Sequence, residues 1–428
     1  MRLQPILLVL VLLLAVTCKD KPTPVSIYFT TDFERLAGGS NYDRGWDIAT
    51  YGDGGVIVAG QTLSHNSGDL GPSHGFVDAW LVRFNPAGDL MWSRNYGGLE
   101  MDLFLSVVAL PDGGALAVGH TNSNDGDVKS NHGKQDIWLV RVNSNGAVLW
   151  QKTFGGSNWE EGNGVVALSD GSFVIAGTTA SGDGDVSGNN GGSDTWILKV
   201  DANGNLVWQK NYGDSADEGS SSISTTSDGG FVIAGSRKST VDISDGMVLR
   251  LDASGNQVWQ KTFGGSQEDQ LVAVHAAANG SMVAAGYSFS TYGDLTGKQF
   301  APDNLWVIKL NDAGEVSWKK SFGGNLSDRA TGIVLSSDGN YLLSGSTTSS
   351  DGDVAGNHGK GDGWIIRVNA SSGALMAQQT FGGSDDDGLN SLALAPDGSF
   401  VAAGFQYTKL LPNSPNPSNE DLWVIRFR

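Results

Sequence analysis

Apolar residues in this chain come in short unbroken blocks rather than in single alternations. From about residue 40 onward each block is four to eight residues long, rich in Val, Ile, Trp and Phe, and bounded by Gly, Asn or Asp. Blocks of that length and composition predict β-strands buried on both faces. No sustained helical period appears after the first 24 residues. The blocks recur as four phrases in a fixed order. "GGFVIAG" (229–235) returns as "GGVIVAG", "GGALAVG", "GSFVIAG", "GSMVAAG", "GNYLLSG" and "GSFVAAG". "DTWILKVD" (194–201) returns as "DAWLVRFN", "DIWLVRVN", "DGMVLRLD", "NLWVIKLN", "DGWIIRVN" and "DLWVIRFR". A "NLVWQKNYG" phrase (205–213) follows, and a more variable block precedes each "DGG" turn. "SDGG", "DANGN" and "NDAGE" have the chemistry of tight hairpins. Four antiparallel strands repeating roughly every fifty to sixty residues predict an all-β chain of β-propeller blades.

The chain ends fix the blade count. The last repeat stops at "DLWVIRFR", its third strand, whereas "TDFERLAGGSNYDRG" (31–45) aligns with "LVWQKTFGGSNWEEG" (148–162), Phe33 taking a Trp position. An N-terminal strand therefore completes the last blade, and seven blades result. The consensus W-x-K-x-F-G-G-S … D-G-G-F-V-I-A-G-T-T … D-x-W-h-h-K-h-D-x-N-G (h, apolar) resembles the bacterial seven-bladed β-propeller repeats, the SBBP type, of exported proteins and lipoproteins. The resemblance covers about 400 residues, and it implies fold and location more than activity.

The first residues change the picture of where the protein works. "MRLQPILLVLVLLLAVTCKDKPTP" holds an apolar core from Ile6 to Val16 and then Cys18, the one cysteine of the chain. Such a core is short for a bilayer span and has signal-peptide proportions. Cys18 directly after it resembles a bacterial lipobox, with Thr17 standing where Gly, Ala or Ser is usual. The expected organisation is a signal peptide over 1–17, a lipidated Cys18 with a tether over 18–26, and a propeller over 27–428. This makes an exported protein, lipid-anchored to the bacterial outer membrane and touching the membrane only through its lipid. A formal net charge of −19 argues against nucleic acid as a partner, since phosphate binding needs clustered Lys and Arg.

Candidate chemistry gathers on one propeller face. With strands named A to D from axis to rim, A–B and C–D turns are short hairpins on one face. The D–A and B–C connections, which are longer, lie on the other. There each blade starts strand A with an acid: Asp43, Asp102, Glu160, Glu218, Asp269, Asp328 and Asp387. Strand C starts with Asp78, Asp136, Asp194, Asp245, Asn304, Asp362 and Asp421. Both series read first as turn-fixing acceptors, and second as an electronegative ring on the ligand face. Three B–C loops follow the pattern D-G-D-V-x-x-N-x-G-x-x-D, with oxygens spaced as in a calcium loop. Their candidate ligands are Asp125, Asp127, Asn131 and Asp136 in blade 2, and Asp183, Asp185, Asn189 and Asp194 in blade 3. In blade 6 they are Asp351, Asp353, Asn357 and Asp362. Asx-turn packing explains the same residues without Ca2+. His74, His132 and His358 share one loop position in separate blades and read as polar surface residues. The strand-C bases, Arg83 to Arg426, should cap hairpin carbonyls or bridge blades.

No catalytic signature is present, so catalytic residues are expected to be none. The leading reading is a non-catalytic lipoprotein that binds or scaffolds a protein or glycan on the loop-rich face, near the divergent loops of blades 4, 5 and 7. A lectin-like propeller using Trp159, Tyr287, Tyr292 and Tyr407 is the alternative, and a glycan-cleaving hydrolase or lyase a more distant one.

Overall fold

Each quartet of apolar blocks forms one four-stranded antiparallel sheet, and the sheets stack around a common axis. The structure is a computed structural model that describes residues 29–238, 243–291, 303–408 and 419–428. These residues contain twenty-eight strands, from β1 (Thr31–Ala37) to β28 (Asn419–Phe427). They pair into seven sheets. Six are built from consecutive strands, beginning with the sheet that opens on β2 (Asp43–Thr50). The seventh runs β26 (Asp387–Leu394), β27 (Phe400–Thr408), β28 and then β1. The N-terminal strand thus closes the ring, with Arg35 opposite Val424 and Leu36 opposite Trp423. The signal peptide, Cys18 and the tether lie outside the described residues, as do Tyr292 and most of the divergent loops of blades 4, 5 and 7. The described residues hold no helix long and apolar enough to cross a membrane.

The core lies between blades rather than within one layer. Strands B and C are buried along most of their length, because each sheet is covered on both faces by its neighbours. The strand-C tryptophans Trp80, Trp138, Trp196, Trp306, Trp364 and Trp423 are fully buried, as packing residues should be. Trp138 stacks on Phe104 of the same blade at 5.4 Å between ring centroids.

All seven A strands carry a β-bulge at the same place, at Trp46, Leu105, Asn163, Ser221, Val272, Thr331 and Asn390. A bulge frees one residue from the ladder and sharpens the twist. These seven residues line a central channel of about 380 Å³. The closing glycine of each "VIAG" phrase faces the backbone just before the bulge. A Cβ on Gly60, Gly286 or Gly345 would collide with the carbonyl oxygen of Arg44, Gln270 or Arg329. The repeat phrase ends in Gly because two backbones meet there.

Candidate functional site

The strand-A acids are buried clamps between consecutive connections. Asp102 accepts the Gly98 N–H at 2.7 Å, the Ser123 hydroxyl at 2.7 Å and the Thr121 hydroxyl. Asp328 repeats this with Gly324 N–H (2.7 Å), Ser349 (2.9 Å) and Thr347 (2.5 Å). Asp43 and Asp269 match it, with Thr62 and Ser64 around the first and Ser288 and Ser290 around the second. Glu160 takes Thr179 (2.7 Å) and Gly156 N–H (2.8 Å). Glu218 pairs with Arg237 at 2.9 Å, and Asp387 accepts Tyr407 N–H at 2.9 Å. Every one is buried, so these side chains fasten the D–A connection to the end of strand B rather than facing a ligand.

The strand-C acids meet them from the preceding blade. A Cβ on Gly382 would lie 2.7 Å from both Asp362 Oδ1 and Asp387 Oδ2, and one on Gly155 would lie 2.5 Å from Asp136 Oδ1 and 2.7 Å from Glu160 Oε2. At Gly38, Gly155, Gly213, Gly264 and Gly382 two carboxyl groups therefore converge across a blade junction. Burial pushes the pKa of Asp102, Asp136, Asp194, Asp328, Asp362 and Asp387 up. Asp136, Asp194 and Asp362 each keep one buried oxygen without a hydrogen-bond partner. In blade 5 the same place holds Asn304, whose amide nitrogen is turned toward Asp328.

The D-G-D-V loops are ordered by hydrogen bonds that diverge. In blade 2, Asp125 accepts Leu99 N–H (2.8 Å), Asp127 accepts Gly97 N–H (3.3 Å), Asn131 accepts Gly133 N–H (2.9 Å) and Asp136 accepts His132 N–H (2.9 Å). Blade 3 repeats this with Asp183, Asp185, Asn189 and Asp194, taking Ser157, Gly155, Gly191 and Asn190. In blade 6, Asp351, Asp353, Asn357 and Asp362 take Asn325, Gly323, Gly359 and His358. The structure does not bring the four side chains of a loop together. Two reach across to the D–A connection, one closes an Asx turn and one anchors strand C. No group of three or more His, Cys, Asp or Glu among the described residues is placed to hold a metal ion. His132 and His358 brace Asp136 and Asp362 through Nδ1, at 2.5 and 2.7 Å, and His74 lies 3.5 Å from Asp127.

The hairpin face is regular, with strand-C bases paired to turn acids or carbonyls. Arg250 pairs with Asp228 at 2.7 Å, Arg367 with Asp338, and Arg426 with Asp397 at 3.1 Å. Arg83 bridges to Ser144 O of the next blade (3.0 Å) and Lys309 to Ala370 O (2.7 Å), as their positions in the sequence imply. In the channel, Asp47 accepts Ser106 Oγ (3.0 Å), Val107 N–H (2.9 Å) and Ser391 Oγ (2.6 Å), joining blade 1 to both neighbours.

The loop-rich face is irregular. The residue just before the strand-A acid is Tyr42, Met101 and Trp159 in blades 1 to 3, but Asp217, Glu268, Ser327 and Asp386 in blades 4 to 7. Trp159 is 58% exposed, and Phe76 and Leu99 beside Met101 are 66% and 67% exposed. Phe76 N–H bonds to Leu99 O at 3.3 Å, tying the two loops together. Of the aromatics singled out from sequence, Trp159 stands clear, Tyr287 lies under Arg329 at 4.3 Å, and Tyr407 packs edge-on against Tyr42. The apolar arc of Tyr42, Phe76, Leu99 and Met101 has no counterpart among the residues that the sequence singles out.

No family model matches the chain. Of the resemblance to the SBBP repeats, the seven-bladed fold stands and membership is a matter for proposal. A stretch of 205 residues, 42% of the chain, is 27% identical to the regulatory protein FlaEY of Caulobacter vibrioides, and this match spans 20% of that protein. Among solved structures, BBS1N in complex with ARL6DN overlays 93% of the chain and 97% of its own at 11% identity and a TM-score of 0.50. Sqt1 from Chaetomium thermophilum overlays 91% and 87% at 12% identity and a TM-score of 0.47. At such identities the likeness concerns the fold alone.

Proposed function

We propose that this is a non-catalytic binding or scaffolding protein that holds a protein partner on its loop-rich face, exported and lipid-anchored through Cys18. The observation that carries this is the contrast between the faces. The hairpin end repeats its base–acid pairs and its exposed strand-D apolar residues, such as Met91, Leu149, Val207 and Val258, from blade to blade, whereas the loop-rich face exposes Tyr42, Phe76, Leu99, Met101 and Trp159 without such a repeat. Exposed aromatic and Met side chains grouped within acidic surroundings favour a partner surface with apolar anchors and basic flanks. The name of FlaEY offers "regulatory" and nothing more specific, and BBS1N is an example of this fold solved with a protein bound. Anchoring rests on the N-terminal sequence, and a glycan ligand would have Trp159 as an exposed platform.

The test is a double change, Phe76→Glu with Leu99→Glu, scored by partner recovery from membranes of the native host after cross-linking. Both side chains are open to solvent, so the melting temperature should hold while recovery falls at least tenfold. Unchanged recovery would remove the proposal. Anchoring is checked by incorporation of an alkyne fatty acid, expected in the native chain and lost in Cys18→Ala.

A further inference from the structure

The junctions between blades contain a recurring polar slot, and its variants say what one of them lacks. The slot is made by the residue after the strand-A acid, the residue before the strand-C acid of the preceding blade, and a strand-B residue of that blade. At the junction of blades 7 and 1 it holds Arg44, Glu420 and Phe405. Arg44 Nε bonds Glu420 at 2.5 Å and its guanidinium lies 4.1 Å from the Phe405 ring centroid. At the junction of blades 5 and 6 it holds Arg329, Asp303 and Tyr287, with a 2.5 Å bond and a 4.3 Å ring distance. Twice, therefore, the fold seats a guanidinium between a carboxylate and an aromatic ring.

At the junction of blades 2 and 3 the polarity is reversed. The slot holds Glu161, Gln135 and His120, and no Lys or Arg among the described residues pairs with Glu161. Its nearest titratable neighbour is His120 Nδ1, at 3.6 Å, too far for a hydrogen bond. His120 is buried, and burial lowers its pKa to about 4, so it stays neutral near pH 7 and offers no countercharge. Trp159 and Glu161 project to the same side of their extended segment. Together with Gln135, Asn158, Thr178 and Ser193 they line a groove of about 390 Å³. The groove walls displace enough water to raise the Glu161 pKa, although 45% of its side chain stays open at the mouth. A carboxylate and an indole face are thus in place, and among the described residues no Lys or Arg pairs with that carboxylate. Lys134 reaches one side of the Trp159 ring, at 5.9 Å, while its ammonium is bonded to Asn158.

We infer that the groove between blades 2 and 3 receives a cationic side chain, an arginine or lysine of the protein partner, seated between Glu161 and Trp159. This rests on the reading of the loop-rich face as the docking surface and adds its central contact. Ion pairing and cation–π attraction reinforce each other when the cation is partly withdrawn from water. The acidic tips of blades 4, 5 and 7 (Asp217, Glu268 and Asp386) would draw the same basic partner.

The test needs no partner. Full-length protein labelled with 5-fluorotryptophan, its Trp159 resonance assigned with Trp159→Phe, is titrated with N-acetylargininamide and with the neutral isostere N-acetylcitrullinamide. The Trp159 signal should move with the arginine probe and saturate at about millimolar concentration, the range one such contact supplies. It should stay in place with citrulline. Glu161→Gln should weaken binding about tenfold. Glu161→Lys, which carries its own cation, should abolish it with the melting temperature held. Equal response to citrulline, no response to arginine, or an undiminished response in Glu161→Gln would overturn the inference. A shift with methyl glycosides in place of arginine would overturn it too and assign the groove to sugars. A null here leaves docking on the loop-rich face intact, and failure of the Phe76 and Leu99 test leaves the groove intact.

Discussion

A threonine hydroxyl decides more of this fold than its size suggests. Thr121 and Ser123 donate to a carboxylate of Asp102 that no water reaches. Removing a donor from a buried acceptor leaves that acceptor unsatisfied, at about 1 to 3 kcal/mol. Thr121→Val should therefore lower unfolding free energy by about that amount in denaturant titration, with Thr347→Val alike at Asp328. Glycine acts through space rather than bonding. Gly345→Ala would press a methyl against the Arg329 carbonyl, and about 1 to 3 kcal/mol of overpacking loss is expected. Both roles were only half legible in the sequence. The acids could be seen at the loop-to-strand junctions, and their turn-fixing role could be argued. The need for glycine in "VIAG" could not, because it comes from a bulge in the paired strand that no local pattern announces.

At the scale of the strand pair and its connections, the carboxyl groups facing each other across blade junctions set a pH dependence. Burial raises the folded-state pKa of Asp102, Asp362 and Asp387 above the ordinary aspartate value of 3.8. Folding then takes up protons, so their contribution is full below that value and is lost as pH rises through the raised folded values. The hairpin-face acids work in the opposite sense. Hydrogen bonds from Thr226, Gly230 and Arg250 hold Asp228 near 2, and Ser399 and Arg426 do the same for Asp397. Their contribution is present above 3.8 and lost as pH falls toward 2. Melting temperature should therefore peak on the acid side of neutrality. Asn304 shows what the other junctions need, since its amide faces Asp328 where elsewhere a second carboxyl stands. Asp362→Asn should flatten the decline above the peak, and Asn304→Asp should steepen it. Identical slopes in all three proteins would refute this account. The D-G-D-V loops belong to the same scale. Their acids bond separate amides of the connections, so calcium should leave the melting temperature where a chelator leaves it. A calcium-dependent rise abolished by Asp125→Ala would instead make them metal sites.

The whole molecule is a ring, and the ring explains what the sequence could and could not reveal. Repetition made blade number and strand order readable, because seven copies of each phrase average out local ambiguity, and the unmatched "DLWVIRFR" demanded a partner from the other end. The same repetition hid the surface. Phe76 and Leu99 sit in loops nearly 25 residues apart and meet because blade 1 hands its B–C loop to the D–A loop of blade 2. Residues meeting across a junction carry no periodic signature, so the apolar arc and the Glu161 groove emerge only in three dimensions. Ring closure makes a further prediction. A chain lacking residues 29–37 leaves β28 as an open edge, and open edges recruit other chains. It should sediment as higher oligomers where the complete chain is a single species.

The central claim is that the loop-rich arc of blades 1 to 3 is the working surface. Its most direct measurement is photo-cross-linking in the native host, with p-benzoylphenylalanine placed at Phe76, Met101 and, as the hairpin-end control, the exposed Met91. Adducts to one protein from positions 76 and 101, absent from 91, with the attached peptide carrying apolar and basic residues, are the predicted result. Adducts equally strong from position 91, or none from 76 and 101, would contradict it.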